Sequence, residues 1–236
     1  MKRNCLIAGL VSLIICLAML VGCSANTPPP TVPNPTPNPN QQQGSTTEGQ
    51  PASPTQQEQP SNNLSAYFPL AQGNTWQYLG EGNEYAGFKR TVLYTKENLA
   101  QVQENNGGTI IMSVFQTTDE SITRIYFQGE VYDNTNFLDQ QPNDNTIILK
   151  APLQVGTTWK NKNETREIVD TNATVNTPAG EFKNCLKVKL TYPESTIYEY
   201  YQAGVGLVKR EFLSEGFEVT STLESWQPGD DSSASA

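Results

Sequence analysis

From about residue 88 to residue 223, apolar and polar side chains alternate in short runs with a period of two. Leu186, Val188, Leu190 and Tyr192 occupy one phase while Lys187, Lys189 and Thr191 occupy the other, the pattern of a strand with one buried face. Similar runs predict strands at residues 88–94, 109–116, 122–128, 196–201 and 217–223. Turn chemistry separates them. Asn105-Asn106-Gly107-Gly108 tolerates positive φ and suits a hairpin loop, Thr177-Pro178-Ala179-Gly180 starts a turn on proline, and Gly204-Val205-Gly206 interrupts the run after Tyr201. No stretch carries a capped helical stripe, although residues 96–104 read as one or two helical turns. The spacing predicts an all-β domain: an antiparallel meander curled into a barrel, a half-barrel or a sandwich.

One octapeptide occurs twice. Pro69-Leu70-Ala71-Gln72-Gly73-Asn74-Thr75-Trp76 returns as Pro152-Leu153-Gln154-Val155-Gly156-Thr157-Thr158-Trp159, with five identities and an interval of 83 residues. In each copy Pro-Leu pins an incoming segment, glycine permits the turn, and Thr-Trp starts a strand whose indole packs inward. The interval is too long for a solenoid repeat. It leaves either two similar halves, one corner used twice, or chance.

Composition divides the chain. Residues 1–22 read as a leader: Lys2 and Arg3 precede an apolar run from Cys5 to Val21 that is nearly long enough to span a bilayer. From residue 24 to residue 63 the chain holds ten of its sixteen prolines, only Glu48 and Glu58 as charges, and no aromatic residue. Such a segment buries too little apolar surface to offset its ordering entropy, so it reads as a disordered tether, stiff where proline is dense. Residues 64–226 suffice for one domain with its own core, and residues 227–236 read as a fraying polar tail.

Leu20-Val21-Gly22-Cys23 resembles the lipobox of bacterial lipoproteins, in which leucine, a small residue and cysteine are read together. The resemblance implies diacylglycerol on Cys23, cleavage between Gly22 and Cys23, and attachment of the domain to the extracytoplasmic face of a membrane. Two or three acyl chains give durable anchoring where one does not. Of the four cysteines, Cys5 and Cys16 leave with the leader and Cys23 is acylated. Cys185 is then alone, which rules out an internal disulfide and favours a buried thiol on a strand.

Tyr67-Phe68-Pro69-Leu70, Gly73-Asn74, Trp76 and Tyr78 are similar to the opening of a group of bacterial lipoproteins and secreted β domains. Later pieces of the same likeness are Thr177-Pro178-Ala179-Gly180 with Phe182, and Tyr200-Tyr201 followed by residues 204–209. Some of that group look similar to the acyl-cradling half-barrels of the LolA/LolB type. The resemblance implies fold more than activity.

Chemistry is scarce. The chain contains no histidine, which excludes Ser-His-Asp and Cys-His catalysis and histidine metal sites together. Asp119, Glu120, Asp170, Glu194 and Glu199 could serve carboxylate chemistry, but no spacing singles out a pair. Asp133-Asn134-Thr135-Asn136 and Asn143-Asp144-Asn145 gather oxygen ligands that suit calcium, yet the same residues are ordinary turn formers. Without Lys2 and Arg3 the chain has thirteen basic and twenty-four acidic side chains, a net −11 that repels nucleic acid and anionic lipid surfaces alike. Membrane contact then falls to the lipid. Tyr192, Tyr198, Tyr200 and Tyr201 are the remaining candidates, with Tyr198 and Tyr200 on the face opposite Tyr201. They could line an apolar cleft or stack on sugars, or simply pair across strands. The sequence predicts a non-enzymatic, cofactor-free binding domain, first for an apolar ligand and alternatively for cell-wall glycan or an envelope protein.

Overall fold

The computed structural model describes residues 63–229, so the leader, Gly22, Cys23 and the tether lie outside the described residues. A four-residue helix, α1 (Leu64–Tyr67), precedes twelve strands. The first six are β1 (Thr75–Glu81), β2 (Phe88–Lys96), β3 (Leu99–Asn105), β4 (Ile110–Thr117), β5 (Ser121–Gln128) and β6 (Thr146–Lys150). The second six are β7 (Thr158–Lys160), β8 (Thr165–Thr177), β9 (Gly180–Thr191), β10 (Thr196–Gln202), β11 (Gly206–Ser214) and β12 (Phe217–Gln227). They form one antiparallel sheet in the order β6-β5-β4-β3-β2-β1-β12-β11-β10-β9-β8-β7. The sheet curls into a nearly closed barrel with one unsealed seam, where β6 meets β7.

This order is two six-stranded meanders joined through β1 and β12. Each meander opens on one copy of the repeated octapeptide, and the two copies make the same bonds. Gly73 N–H donates to the Val92 carbonyl at 2.9 Å, and Gly156 N–H to the Ile168 carbonyl at 2.8 Å. Val92 N–H returns to the Asn74 carbonyl and Ile168 N–H to the Thr157 carbonyl, each at 2.9 Å. Both glycines hold positive φ, 88° and 91°, a conformation that makes glycine the fitting residue there. The corner is therefore a repeated structural unit. By the same repetition, β7 and β6 are the counterparts of β1 and β12. The β1–β12 junction is a full ladder from Thr75↔Gln227 to Glu81↔Thr220, whereas β7 is three residues long and pairs with β8 alone.

Side chains bridge the seam instead. Asn161 accepts from Ile147 N–H and donates to the Ile147 carbonyl, both at 3.0 Å, so its amide imitates a strand residue. Trp159 Nε1 donates to the same carbonyl at 3.0 Å, and Arg166 donates to the Ile148 carbonyl at 3.2 Å. Asn161→Ala is expected to expose the Ile147 amide. Its hydrogen-exchange protection should drop by about 1–2 kcal/mol, the worth of a bond whose partner is lost in a partly buried site. Unchanged exchange at Ile147 would show that the seam is held elsewhere.

The core fills the barrel. Trp76, Tyr78, Phe88, Val92, Ile122, Ile168, Leu186, Val188 and Leu207 are all buried within one cluster. Phe68 closes one end, its ring 5.1 Å from Phe115 and 6.3 Å from Tyr201, and Gly204 N–H ties α1 down through the Ala66 carbonyl at 2.7 Å. A second, smaller cluster has Met112, Val114, Val131, Phe137 and Leu138 at its centre. Val114 alternates with inward Phe115, so this cluster lies on the outer face of the sheet, under the connection from β5 to β6. Gln101 anchors that connection: it donates to the Thr135 carbonyl at 2.8 Å and accepts from Phe137 N–H at 2.6 Å.

Residues 96–104 are not helical. β2 ends at Lys96, Glu97 takes φ 54°, and β3 begins at Leu99. Lys, Glu, Leu, Ala and Gln favour a helix locally, but Val102 pairs with Val92 on one side and Ser113 on the other, and that pairing overrides propensity. β12 continues to Gln227, and Gly229 N–H donates to Asn74 Oδ1 at 2.7 Å, so the first residues of the polar tail are held. Cys185 is a buried free thiol, with burial pushing its pKa up to about 11, away from reactive thiolate.

Candidate functional site

Three arginines and three glutamates meet inside the barrel. Period-two alternation puts Arg90 between inward Phe88 and Val92, Arg166 beside inward Ile168, and Glu199 beside inward Tyr201. Register then aligns Val188, Glu199, Arg210 and Ser221 across four neighbouring strands. Arg90 donates through Nε and Nη2 to Glu104, at 2.8 and 2.5 Å. Glu199 is the hub: Arg210 donates to its Oε1 at 3.1 Å, and Arg166 and the Tyr201 hydroxyl donate to its Oε2 at 3.3 and 2.6 Å. Arg166 also donates to Glu164 at 3.1 Å. Burial opposes ionisation of Glu199, but Arg210, Arg166 and the Tyr201 hydroxyl outweigh it and hold its pKa at about 2. Burial works against the Glu104 carboxylate too, and Arg90 and Arg210 bring its pKa below the usual range. Burial, aided by Glu199, pushes the Tyr201 phenol well above its ordinary value. The cluster is neutral and mutually satisfied, and no buried side-chain nitrogen or oxygen among the described residues lacks a partner. Glu104 and Glu199 are thereby favoured as carboxylates within the cluster.

The more open site lies at the seam. Arg124, Phe127, Asn143, Asp144, Thr146, Lys162, Asn163 and Glu164 line a cleft of about 370 Å³. A neighbouring cleft of about 550 Å³ shares Asn143, Asp144, Thr146 and Lys162 and adds Pro142, Asn145, Lys160 and Asn161, so the two form one groove. Its parts are braced from below. Asn143 accepts from Phe127 N–H at 2.8 Å and donates to the Phe127 carbonyl at 3.0 Å, the same amide device that Asn161 uses on Ile147. Arg124 donates through Nε to Asp144 at 2.5 Å, and Asp144 Oδ1 accepts from Asn145 N–H and the Thr146 hydroxyl. Partial burial works against the Asp144 carboxylate, but the Arg124 and Thr146 bonds prevail and keep its pKa low. The Arg124 guanidinium carbon stands 4.6 Å from the centre of the Phe127 ring, which is 40% exposed.

The residues singled out from sequence divide among other places. Trp76 and Trp159 occupy the two corners, and Trp76 Nε1 donates to the Val205 carbonyl at 2.7 Å. Tyr201 is interior, whereas Tyr198 and Tyr200 lie on the outer face with Lys187 Nζ 4.2 and 5.0 Å from their ring centres. The Tyr200 hydroxyl donates to Glu211 at 2.7 Å. Tyr192 and Tyr198 share a shallow depression with Pro193, Glu194 and Leu213. The four tyrosines thus form no single strip. Of the acids, Glu199 alone enters the buried cluster. The oxygens of the β5–β6 connection serve turns: Asp133 accepts from Thr135 N–H and hydroxyl, and Asn136 from Leu138 N–H. Among the described residues no three His, Cys, Asp or Glu side chains converge in a way that could hold a metal ion. Arg90, Arg124, Arg166, Arg210, Phe127 and Asn161 were not singled out. The signal for three of them was present, as a charge on the apolar phase of a strand.

No family model and no curated protein matches this sequence. Two solved structures are similar in outline. One is a Bacteroides fragilis protein described as a candidate exported protein with a YmcC-like fold, at 18% identity and TM-score 0.43, covering 69% of this chain and 99% of that one. The other is a candidate lipoprotein of Parabacteroides distasonis, at 16% identity and TM-score 0.37, covering 68% of this chain and 98% of that one. Likeness at this level says nothing about what the chain does.

Proposed function

We propose that this chain is an envelope lipoprotein, anchored through Cys23, whose barrel is a non-enzymatic module that recognises a saccharide in the seam groove. The groove carries the reading: planar amide, carboxylate and guanidinium groups braced around the Phe127 ring, opening onto solvent. A saccharide offers hydroxyls to the first and an apolar ring face to the second. The lipobox and the long tether support display of such a module away from a membrane. The apolar-ligand reading fits the interior less well. Beside Trp76 and Arg90 the free space is about 10 Å³, room for about one water molecule, and six charged side chains share that interior. Arg210, Arg166 and the Tyr201 hydroxyl hold the buried Glu199 in its charged form, which disfavours a protonated catalytic acid at that position.

The test is a saccharide panel, including peptidoglycan fragments, titrated against the chain without residues 1–23 and read by backbone NMR. Shifts should concentrate at Phe127, Asn143, Thr146 and Asn163, and Phe127→Ala should weaken binding about tenfold, as losing a stacking surface commonly does. Shifts confined to Tyr192 and Tyr198 would move recognition to the outer tyrosines. A co-purifying lipid displaced from the interior would instead restore the apolar-ligand reading.

A further inference from the structure

We infer that the saccharide is anionic, its charged group held between Lys162, Lys160 and the Nη groups of Arg124; this deepens, and rests on, the saccharide reading of the seam groove. The acids of the groove are committed to the protein itself. Asp144 binds Arg124 through one oxygen and Asn145 and Thr146 through the other. Glu164 accepts from Asn161 at 3.0 Å and from Arg166 at 3.1 Å. The cations are not. Among the described residues neither Lys160 nor Lys162 forms an ion pair, and Arg124 spends only Nε on Asp144, at 2.5 Å. Both lysines are exposed on the groove rim, on either side of the Asn161 that stitches the seam. The chain as a whole carries a formal net charge of −9, so the sign of the groove's own lining matters to an incoming charge. Arg124, Lys160 and Lys162 outnumber Asp144 and Glu164 in the groove lining, so an anion arriving there meets a local excess of positive charge, and the free fork of Arg124 suits a carboxylate or phosphate oxygen pair.

Full-length chain in detergent is titrated with paired probes: oligogalacturonate against its methyl ester, and phosphomannan against its dephosphorylated form. At least one acidic probe is expected to bind about tenfold tighter than its neutral twin, with the preference shrinking as salt rises and screening shortens. Lys160→Met with Lys162→Met should abolish most of that preference, weakening the acidic probe far more than its neutral twin; both positions are exposed, and circular dichroism checks the fold. The carboxylate pair and the phosphate pair report separately which anion is taken. Equal binding of both members of each pair overturns the charge assignment and leaves the saccharide groove standing. A preference that survives the double substitution also overturns it, since the anion is then read elsewhere. Binding of no member overturns this inference, and with a silent saccharide panel the groove reading falls too.

Discussion

Replacing Glu199 by alanine is expected to destabilise the barrel by about 3–5 kcal/mol, the cost of stripping one partner from a buried charge cluster. Glu199 accepts from Arg210, Arg166 and Tyr201 at once, and Arg166 is itself buried. Its removal leaves Arg166 with Glu164 and the Ile148 carbonyl, and leaves Arg210 with no carboxylate. A domain's whole stability is about 5–15 kcal/mol, so the substituted chain sits near the edge of folding. Glu199→Gln is the gentler probe, since it keeps shape and an acceptor while removing charge. Urea midpoints for the chain without residues 1–23 measure both. A change under about 1 kcal/mol for Glu199→Ala would mean that water replaces the carboxylate at little cost, and that the cluster is wetter than its burial indicates.

The same residue sets a pH dependence whose sign is fixed. Glu199 has its pKa lowered to about 2 in the fold, from an ordinary 4.5. Between those values the unfolded chain binds the proton and the folded chain does not, so stability rises with pH. The contribution is fully present above about pH 4.5 and is lost as pH falls toward about 2. Glu104, Asp144 and Glu211, whose pKa values are also lowered, act in the same direction. In Glu199→Gln the slope over that window should flatten, and its stability should approach that of the parent at the acid end. An identical slope in both proteins would assign the acid sensitivity to the other carboxylates with lowered pKa values, Glu130 and Asp133 included.

How much of this could be read from the sequence follows from the range of each interaction. Alternation of Leu186, Val188 and Leu190 is a local consequence of the pleat, and it predicted an all-β domain whose barrel the structure bears out. The corner was legible because a conformation at glycine and a packed indole recur with the same short sequence. Strands such as β6 and β8 were less legible: Asp170, Asn172 and the bulges within β8 disturb the period that would have marked it. The charged interior follows the same pleat rule, since Arg90 sits on the phase of Phe88 and Val92, but which arginine meets which glutamate depends on register. The seam groove was the least visible part. Asn143 and Asn161 look like turn residues; Asn143 acts on Phe127 from the connection alongside β5, and Asn161 reaches Ile147 only because closure of the sheet brings β6 and β7 together.

Removing either corner tryptophan should cost about 3–5 kcal/mol, the range for a buried aromatic reduced to alanine, but the two losses should differ in kind. Trp76 and Trp159 are 4% and 5% exposed, so the apolar burial forfeited is similar. Trp76 lies beside the β1–β12 ladder, whose seven residue pairs from Thr75↔Gln227 onward hold that junction without it. Trp159 lies at the seam, where Trp159 Nε1 and the Asn161 amide are the side-chain donors to the Ile147 carbonyl among the described residues. Trp159→Ala should therefore loosen the seam locally as well as lower global stability, with the Ile147 amide exchanging faster than the global loss accounts for. In Trp76→Ala the same amide should follow the global change alone. A double-mutant cycle makes the distinction quantitative: Trp159→Phe and Asn161→Ala, which act on one carbonyl, should couple by about 0.5 kcal/mol or more, whereas Trp76→Phe and Asn161→Ala should be additive. Equal coupling in both cycles would mean that the seam is no weaker than the junction it mirrors, and that the barrel is sealed all the way round.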